Sequence, residues 1–228
     1  MLRRCRPLRT DAMLARPRPP VLLRALLAVA AWSALRTAPV FGALADEPLP
    51  EPVREPPRVE LRHGLVRVVS ADRIEADVRT LVGFGTRHTL SRTDSDTRGI
   101  GAARRWVAAE FERISEGCGG CLEVVLVSET VSGMARIPEP TEVVSVLAIQ
   151  RGTLDPERVA IMSGDIDSRV SDPLNAVDDS PGANNNASGL AGTIEAARVL
   201  SRHRFPGTIV YAALAGEEQG LFGGRIVA

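Results

Sequence analysis

The sequence lacks an excess of either charge: its 228 residues include 28 Lys and Arg and 28 Asp and Glu, so the formal net charge is zero. Proteins that bind nucleic acid normally carry a basic surface, and this balance therefore argues against a nucleic-acid partner. Apolar residues make up 44% of the chain and charged residues 25%, which are the proportions of a globular protein with a sizeable core.

The N-terminal region lacks an apolar run long enough to span a membrane comfortably. Its apolar stretch, Leu26–Leu35, follows an arginine-rich segment. It precedes Ala43-Leu44-Ala45, which fits the small-x-small pattern that signal peptidase accepts. We therefore predict that residues 1–45 are a signal peptide. The mature protein is then secreted or periplasmic and has no stable membrane partner. An uncleaved membrane anchor is the alternative.

Cysteine is scarce, and only two of the three residues lie beyond the predicted leader. Cys118 and Cys121 form a C-x-x-C pair directly before an apolar run. A redox motif of this spacing normally opens a helix after a strand, so the position favours a disulfide between the two cysteines in an exported chain. A redox or metal-binding pair is the alternative.

The remaining pattern is an alternation of strands and helices. Residues 46–60 are rich in Pro and Glu and are predicted to be an extended linker, which leaves residues 61–228 as the folded domain. Apolar spacing predicts helices over 71–81, 101–114 and 187–201, and strands over 122–127, 143–149, 159–162 and 208–214. The unit from 159 to 214 is predicted to be a parallel strand–helix–strand crossover in an α/β fold.

Acidic residues follow two of the predicted strands. Asp165 and Asp167 come after the strand at 159–162, and Glu217 and Glu218 come after the strand at 208–214. Because ligands of open α/β sheets bind at the carboxyl ends of strands, we expect these acids to lie close together. Such a cluster is unfavourable unless a cation neutralises it. If only one of these pairs were present, a solvated loop would explain it. His88 stands alone in its loop, and a structural role explains it.

Three motifs resemble those of the zinc exopeptidase family that includes bacterial leucyl aminopeptidase and aminopeptidase Y. They are Asp165-x-Asp167-Ser168, the segment Gly182–Gly189, and Gly216-Glu217-Glu218-Gln219-Gly220. The resemblance covers residues 158–228. It implies an α/β three-layer fold, in which a mostly parallel mixed sheet is flanked by helices on both faces, with the C-terminal part missing from this chain.

The resemblance also implies a role for each matched position. Glu217 corresponds to the general base that takes a proton from metal-bound water, and Glu218 to a zinc ligand. Asp167 corresponds to the acid that orients the first ligand. The other two ligand positions are Asp165 and Asn185, where the family has histidine and a bridging aspartate.

These departures leave several functions open. One or two zinc ions are expected, in a site that is incomplete in this chain, because the family's remaining ligands lie further along the sequence. The resemblance implies an aminopeptidase that acts on peptide substrates. The alternatives are a catalytically inactive binding or scaffold domain on the same fold, and a single-zinc acyl transferase similar to glutaminyl cyclase.

Overall fold

The computed structural model describes residues 60–228, with side chains from residue 64 onward. The predicted signal peptide, and all of the predicted linker except Glu60, lie outside this range. Within it, none of the helices combines the length and the apolar character that crossing a membrane requires. The helices are α1 Glu60–Arg67, α2 Ala71–Gly83, α3 Gly99–Gly117, α4 Ser188–Leu200, α5 Glu217–Gly220 and α6 Phe222–Val227. The strands are β1 Glu123–Val131, β2 Thr141–Gln150, β3 Asp155–Asp165 and β4 Gly207–Leu214.

A side chain forms a hydrogen bond with a backbone amide in the first turn of α2 and of α4. The Ser70 hydroxyl accepts a hydrogen bond from the Arg73 amide (3.2 Å) and begins α2 at the predicted residue. At the start of α4, the Asn186 side chain accepts a hydrogen bond from the Gly189 amide (2.9 Å). After α3, a disulfide joins Cys118 to Cys121 in the turn that leads to β1.

The four strands form one mixed sheet in the order β1-β2-β4-β3. β3 and β4 are parallel neighbours, with Asp165 opposite Leu214 at their carboxyl ends, and this confirms the predicted crossover through α4. β2 is antiparallel to both β1 and β4. The α/β class and the helix-flanked mixed sheet are therefore confirmed, while two of the three pairings among the described residues are antiparallel.

Alternate residues of β2 and β4 pack into two separate apolar clusters. Val146 and Tyr211 belong to the larger one, which buries side chains of α2, α3 and α4 such as Phe111. Leu147 and Val210 belong to the smaller cluster, which Val227 of α6 joins. Because neighbouring side chains on a strand point to opposite faces, the two clusters lie on opposite sides of the sheet.

β3 is the edge strand beside β4, and most of it is exposed. Val159 is 50% exposed, Ile161 59% and Met162 42%, although all three are apolar. Consecutive residues of a strand point to opposite faces, so this strand is open to solvent on both faces as well as at its free edge.

A buried ion-pair network joins α2, α3 and α4. Arg198 lies 2.6 Å from a carboxylate oxygen of Asp77 and 2.9 Å from one of Glu110. Glu195, one turn earlier in α4, binds Arg73 of α2. Asp77 is 6% exposed, so its carboxylate depends on this arginine for compensation.

Replacing Arg198 with methionine should therefore destabilise the fold. The change leaves Asp77 as a buried charge without its partner, and we expect the free energy of unfolding to fall by about 3 kcal/mol. Arg79→Met is the matched control, because Arg79 pairs with Glu75 on the surface and should contribute less than about 0.5 kcal/mol. Urea unfolding measures both, and equal losses would contradict the prediction.

Candidate functional site

Asp167 fixes the main chain that carries the glutamate pair. It is 1% exposed in the loop after β3. Its carboxylate accepts hydrogen bonds from the backbone amides of Glu217 (3.2 Å) and Glu218 (3.1 Å) and from the Thr89 hydroxyl (2.9 Å). Burial raises the pKa of Asp167 to about 6, although these hydrogen bonds act in the opposite direction. Asp167 thus positions Glu217 and Glu218, while its predicted role in orienting a ligand at Asp165 stays a prediction.

The turn into α5 requires a glycine. Gly216 has φ +71°, in the left-handed region that favours glycine, directly before Glu217. A Cβ atom at this position would lie 3.1 Å from the Val143 side chain and 3.2 Å from that of Phe222. Gly216 therefore lets the chain turn sharply from β4 into the glutamate pair while the strand remains packed.

The Glu218 carboxylate is engaged at both oxygens. Oε2 accepts a hydrogen bond from Arg169 Nε (2.6 Å), and Oε1 accepts one from Asn185 Nδ2 (2.7 Å). Arg136 donates to the backbone carbonyl of Glu218 (2.7 Å). The structure thus brings together two predicted ligand positions, Asn185 and Glu218, through a direct hydrogen bond.

Asp165 lies at the carboxyl end of β3 and contacts the same loop. Its Oδ2 accepts a hydrogen bond from Asn186 Nδ2 (2.9 Å). Asn186 in turn caps α4 through Gly189. Asp165 is therefore linked to the start of α4 by a single asparagine.

Glu217 differs from its neighbour. Among residues 64–228, whose side chains the structure describes, no hydrogen bond reaches its side chain, which is half-buried. Its pKa is raised, first by burial and then by the negative charges of Glu218 and Asp165. The hydrogen bonds from the Glu217 and Glu218 amides to Asp167 show that the acids after β3 and β4 lie near one another.

The described residues do not by themselves build a zinc site. The candidate donors, Asp165, Asn185 and Glu218, are all oxygen ligands and one is a neutral amide, whereas zinc favours nitrogen and sulfur. Each is already hydrogen-bonded within the protein. Across the part of the chain that the structure describes, no three His, Cys, Asp or Glu side chains are grouped to hold a metal ion.

Arg87 was not singled out from the sequence, yet it holds the loops of the site together. Its buried guanidinium donates to the carbonyls of Leu81 (2.9 Å), Ile166 (2.9 Å), Pro181 (2.8 Å) and Gly182 (3.2 Å). Burial lowers its pKa to about 10, and the guanidinium remains charged at neutral pH. A polar loop residue carries no sequence signal of such burial.

His88 is buried beneath the motif that contains the glutamates. Its Nδ1 accepts from the Leu90 amide (3.0 Å), which places the ring proton on Nε2, and Nε2 lies 3.1 Å from the Pro173 carbonyl. The side-chain nitrogen of Gln219 lies 2.9 Å from Nε2 and donates to the same Pro173 carbonyl (3.1 Å), so in this tautomer it contacts the ring without a hydrogen bond to it. His88 therefore packs against the glutamine that follows the glutamate pair, which agrees with the structural role expected from the sequence.

We expect Arg87→Met to loosen the loop at residues 181–182. The change leaves four carbonyls without their charged donor, and hydrogen bonds to charged groups contribute about 1.5–3 kcal/mol each. Hydrogen exchange of the loop amides should accelerate, and the free energy of unfolding should fall by about 3 kcal/mol or more. Arg67→Met, in α1, is a control away from this loop; unchanged exchange in Arg87→Met would contradict the role.

The raised pKa of Asp167 predicts a pH dependence of stability. Because the folded protein binds this proton more tightly than the unfolded chain, the contribution of Asp167 is fully present below about pH 4 and is lost as the pH rises through about 6. The stability of the wild type relative to Asp167→Asn should therefore fall over this window. Urea unfolding in chelator at pH 4 to 7 measures the difference, and a difference that grows with pH would contradict the prediction.

Comparison with known proteins agrees with these motifs. Residues 145–228 match Peptidase family M28, and this segment holds all five candidate metal-binding and catalytic residues. A probable zinc metalloprotease of Pyrenophora teres f. teres is 48% identical over 178 residues, covering 78% of this chain and 37% of that protein. Another, from Leptosphaeria maculans, is 47% identical over 176 residues, covering 77% and 41%. The chain thus spans about two fifths of the length of these curated relatives.

The fold is also similar to that of a solved structure. The crystal structure of LapB from Legionella pneumophila aligns with a TM-score of 0.57 at 22% identity, over 75% of this chain and 41% of that one. The predicted relationship to zinc metallopeptidases is confirmed by the sequence matches, and the fold by this structure. Residues 145–228 therefore match peptidase family M28 in sequence, and the chain is similar to zinc metalloproteases over about three quarters of its length.

Proposed function

We propose that the protein is a zinc-dependent aminopeptidase that releases N-terminal residues from peptides. The observation that carries the proposal is the Glu217-Glu218 pair, held at the carboxyl end of β4 by the buried carboxylate of Asp167. The match to family M28 and the zinc metalloproteases among the relatives support a metal-dependent peptidase and imply zinc. The restriction to N-terminal residues and the number of zinc ions belong to the proposal.

Glu217 is the residue we assign to proton transfer. A general base needs an accessible carboxylate whose pKa is not too far below the working pH. Burial and two neighbouring acids raise the pKa of Glu217, and its carboxylate is not engaged by another described side chain. Glu218 is unsuited to this role as it stands, because both of its oxygens accept hydrogen bonds.

A binding domain without catalytic activity is the second candidate. Asn185 replaces the carboxylate expected at a bridging position, and its amide group donates to Glu218. A neutral amide offers one carbonyl oxygen and is a poor bridge between two cations. A protein that keeps the fold without metal would explain both features.

We also propose that the protein is exported, to the periplasm or the exterior. The basic N-terminal segment, the apolar run Leu26–Leu35 and the sequence Ala43-Leu44-Ala45 support this. Peptides are then the expected partners. N-terminal sequencing of protein recovered outside the cytoplasm should begin at Asp46.

Glu217→Gln should abolish peptide hydrolysis by the full-length protein. The variant keeps the size of the side chain and removes the proton acceptor, and loss of a general base lowers kcat by about 10²–10⁴-fold. We expect the zinc content, measured by elemental analysis, to remain near that of the wild type. Release of amino acids from unblocked peptides, compared with N-acetylated ones, measures the activity.

The control is Glu75→Gln, which removes an exposed carboxylate on α2 and should keep full activity. Peptide hydrolysis that survives both Glu217→Gln and a chelator would refute the proposed function. A folded, zinc-free protein without hydrolysis would support the binding domain instead.

A further inference from the structure

A basic groove lies at the opposite end of β4 from the glutamate pair. It consists of two adjoining cavities, of about 350 and 530 Å³, which share the end of α3 and the turn after α4. Among the described residues that line the groove, none is acidic. Its walls instead carry His203 and six arginines: Arg73, Arg113, Arg151, Arg198, Arg202 and Arg204.

Two of the six arginines give the groove an excess of positive charge. Arg202 and Arg204 are both exposed, and no carboxylate of the described residues pairs with either. The end of α4 does not require them, because Arg198 already lies in its last turn. The other four are balanced by salt bridges, namely Arg73, Arg113, Arg151 and Arg198. An anion in the groove therefore meets two unbalanced guanidinium groups and no competing acid.

The turn that carries these two arginines is held from beneath. Gln150, at the end of β2, is 6% exposed, and its side-chain amide donates to the backbone carbonyls of His203 (2.6 Å) and Leu200 (3.3 Å). Its Oε1 accepts a hydrogen bond from the Tyr211 hydroxyl (2.8 Å). The turn is therefore fixed before a ligand arrives, so binding costs little backbone conformational entropy.

The disulfide forms part of the lining of the groove. Cys118 lines both cavities, and Cys121 lines the larger one. The Cys121 sulfur lies 3.3 Å from the Ser201 carbonyl oxygen, at the start of the turn. The end of α3 is therefore held against the turn by a covalently closed loop, and the two sides of the groove are kept together.

The smaller cavity has apolar as well as cationic walls, and this distinguishes between classes of anion. Val68, Ile114 and Val199 line it beside the arginines. A peptide can place an apolar side chain there and carboxylates against the guanidinium groups, whereas a sulfated polysaccharide carries no such side chain. Single-stranded nucleic acid normally stacks its bases on aromatic side chains, and no described Phe, Tyr or Trp lines the groove. The lining therefore favours an acidic peptide.

We propose that the groove binds an acidic peptide segment, which pairs its carboxylates with Arg202 and Arg204 and packs an apolar side chain against Ile114 and Val199. The eight residues of β4 separate the groove from the glutamate pair by roughly 25 Å, at about 3.3 Å per residue. The groove is thus a peptide-binding site away from the candidate catalytic residues, and the inference does not rest on the proposed function.

Binding is measured directly on the 228-residue chain by fluorescence anisotropy. The probe is the N-acetylated, fluorescently labelled peptide Glu-Glu-Leu-Glu-Glu, and a chelator is present so that it is not hydrolysed. We expect the wild type to bind this probe saturably and to bind Gln-Gln-Leu-Gln-Gln about tenfold more weakly, because the carboxylates are lost. Glu-Glu-Ser-Glu-Glu should bind about fivefold more weakly, because no leucine side chain covers the apolar wall.

The paired variant Arg202→Gln and Arg204→Gln tests the two guanidinium groups. We expect it to weaken binding of the acidic probe about tenfold, which corresponds to the loss of two exposed ion pairs. The control is the paired variant Arg158→Gln and Arg225→Gln, which removes the same charge from exposed positions outside the groove. It should bind within about twofold of the wild type, because salt screens distant charges.

The absence of saturable binding, equal binding of the glutamate and glutamine peptides, or an equal loss in the control pair would overturn the proposal. If heparin displaces the probe and the change from leucine to serine has no effect, the groove binds polyanions and the peptide is rejected. Circular dichroism identifies a variant that has not folded, and the three peptides compared on the wild type still decide in that case. Neither zinc nor peptide hydrolysis enters the measurement, so failure of the aminopeptidase proposal leaves this result standing.

Discussion

The loops of the candidate site depend on the buried guanidinium of Arg87, which forms no salt bridge with a carboxylate among the described residues. Arg87 binds the carbonyls at the end of α2, after β3, and in the loop that leads to α4. Backbone carbonyls in such irregular segments lack the regular N–H donors that a sheet provides, and a buried carbonyl without a donor is costly. A planar group with five donors satisfies several of them at once, which a lysine cannot do in the same way.

At the ends of β3 and β4, two neighbouring carboxylates are stabilised by different kinds of hydrogen-bond donor. Asp167 is buried and is satisfied by backbone amides, so its negative charge fixes the chain direction of α5. Glu218 is satisfied by the side chains of Arg169 and Asn185. The first arrangement relies on main-chain donors that are held by the fold. The second relies on side chains that come from two other loops.

The sequence indicated the position of the site more reliably than its internal contacts. The apolar run before Glu217 and the alternation with α4 were sufficient to place two acidic loops at one sheet edge, because parallel neighbours end together. Arg87 and Arg169 were not predicted, since a single arginine in a loop looks the same whether it is solvated or buried. The antiparallel pairings of β2 were also beyond reach, because a strand that is apolar on both faces carries no mark of its direction.

The open edge of β3 has a consequence for handling the protein. A strand with unpaired backbone groups and apolar side chains on both faces is a template for pairing with another strand, and such edges favour association between molecules. Val159, Ile161 and Met162 lie in the uncharged middle of this edge strand, whose charged residues, Asp155, Glu157, Arg158 and Asp165, stand towards its two ends. Every solution measurement on this chain therefore depends on the protein concentration. The monomer has to be studied in dilute solution.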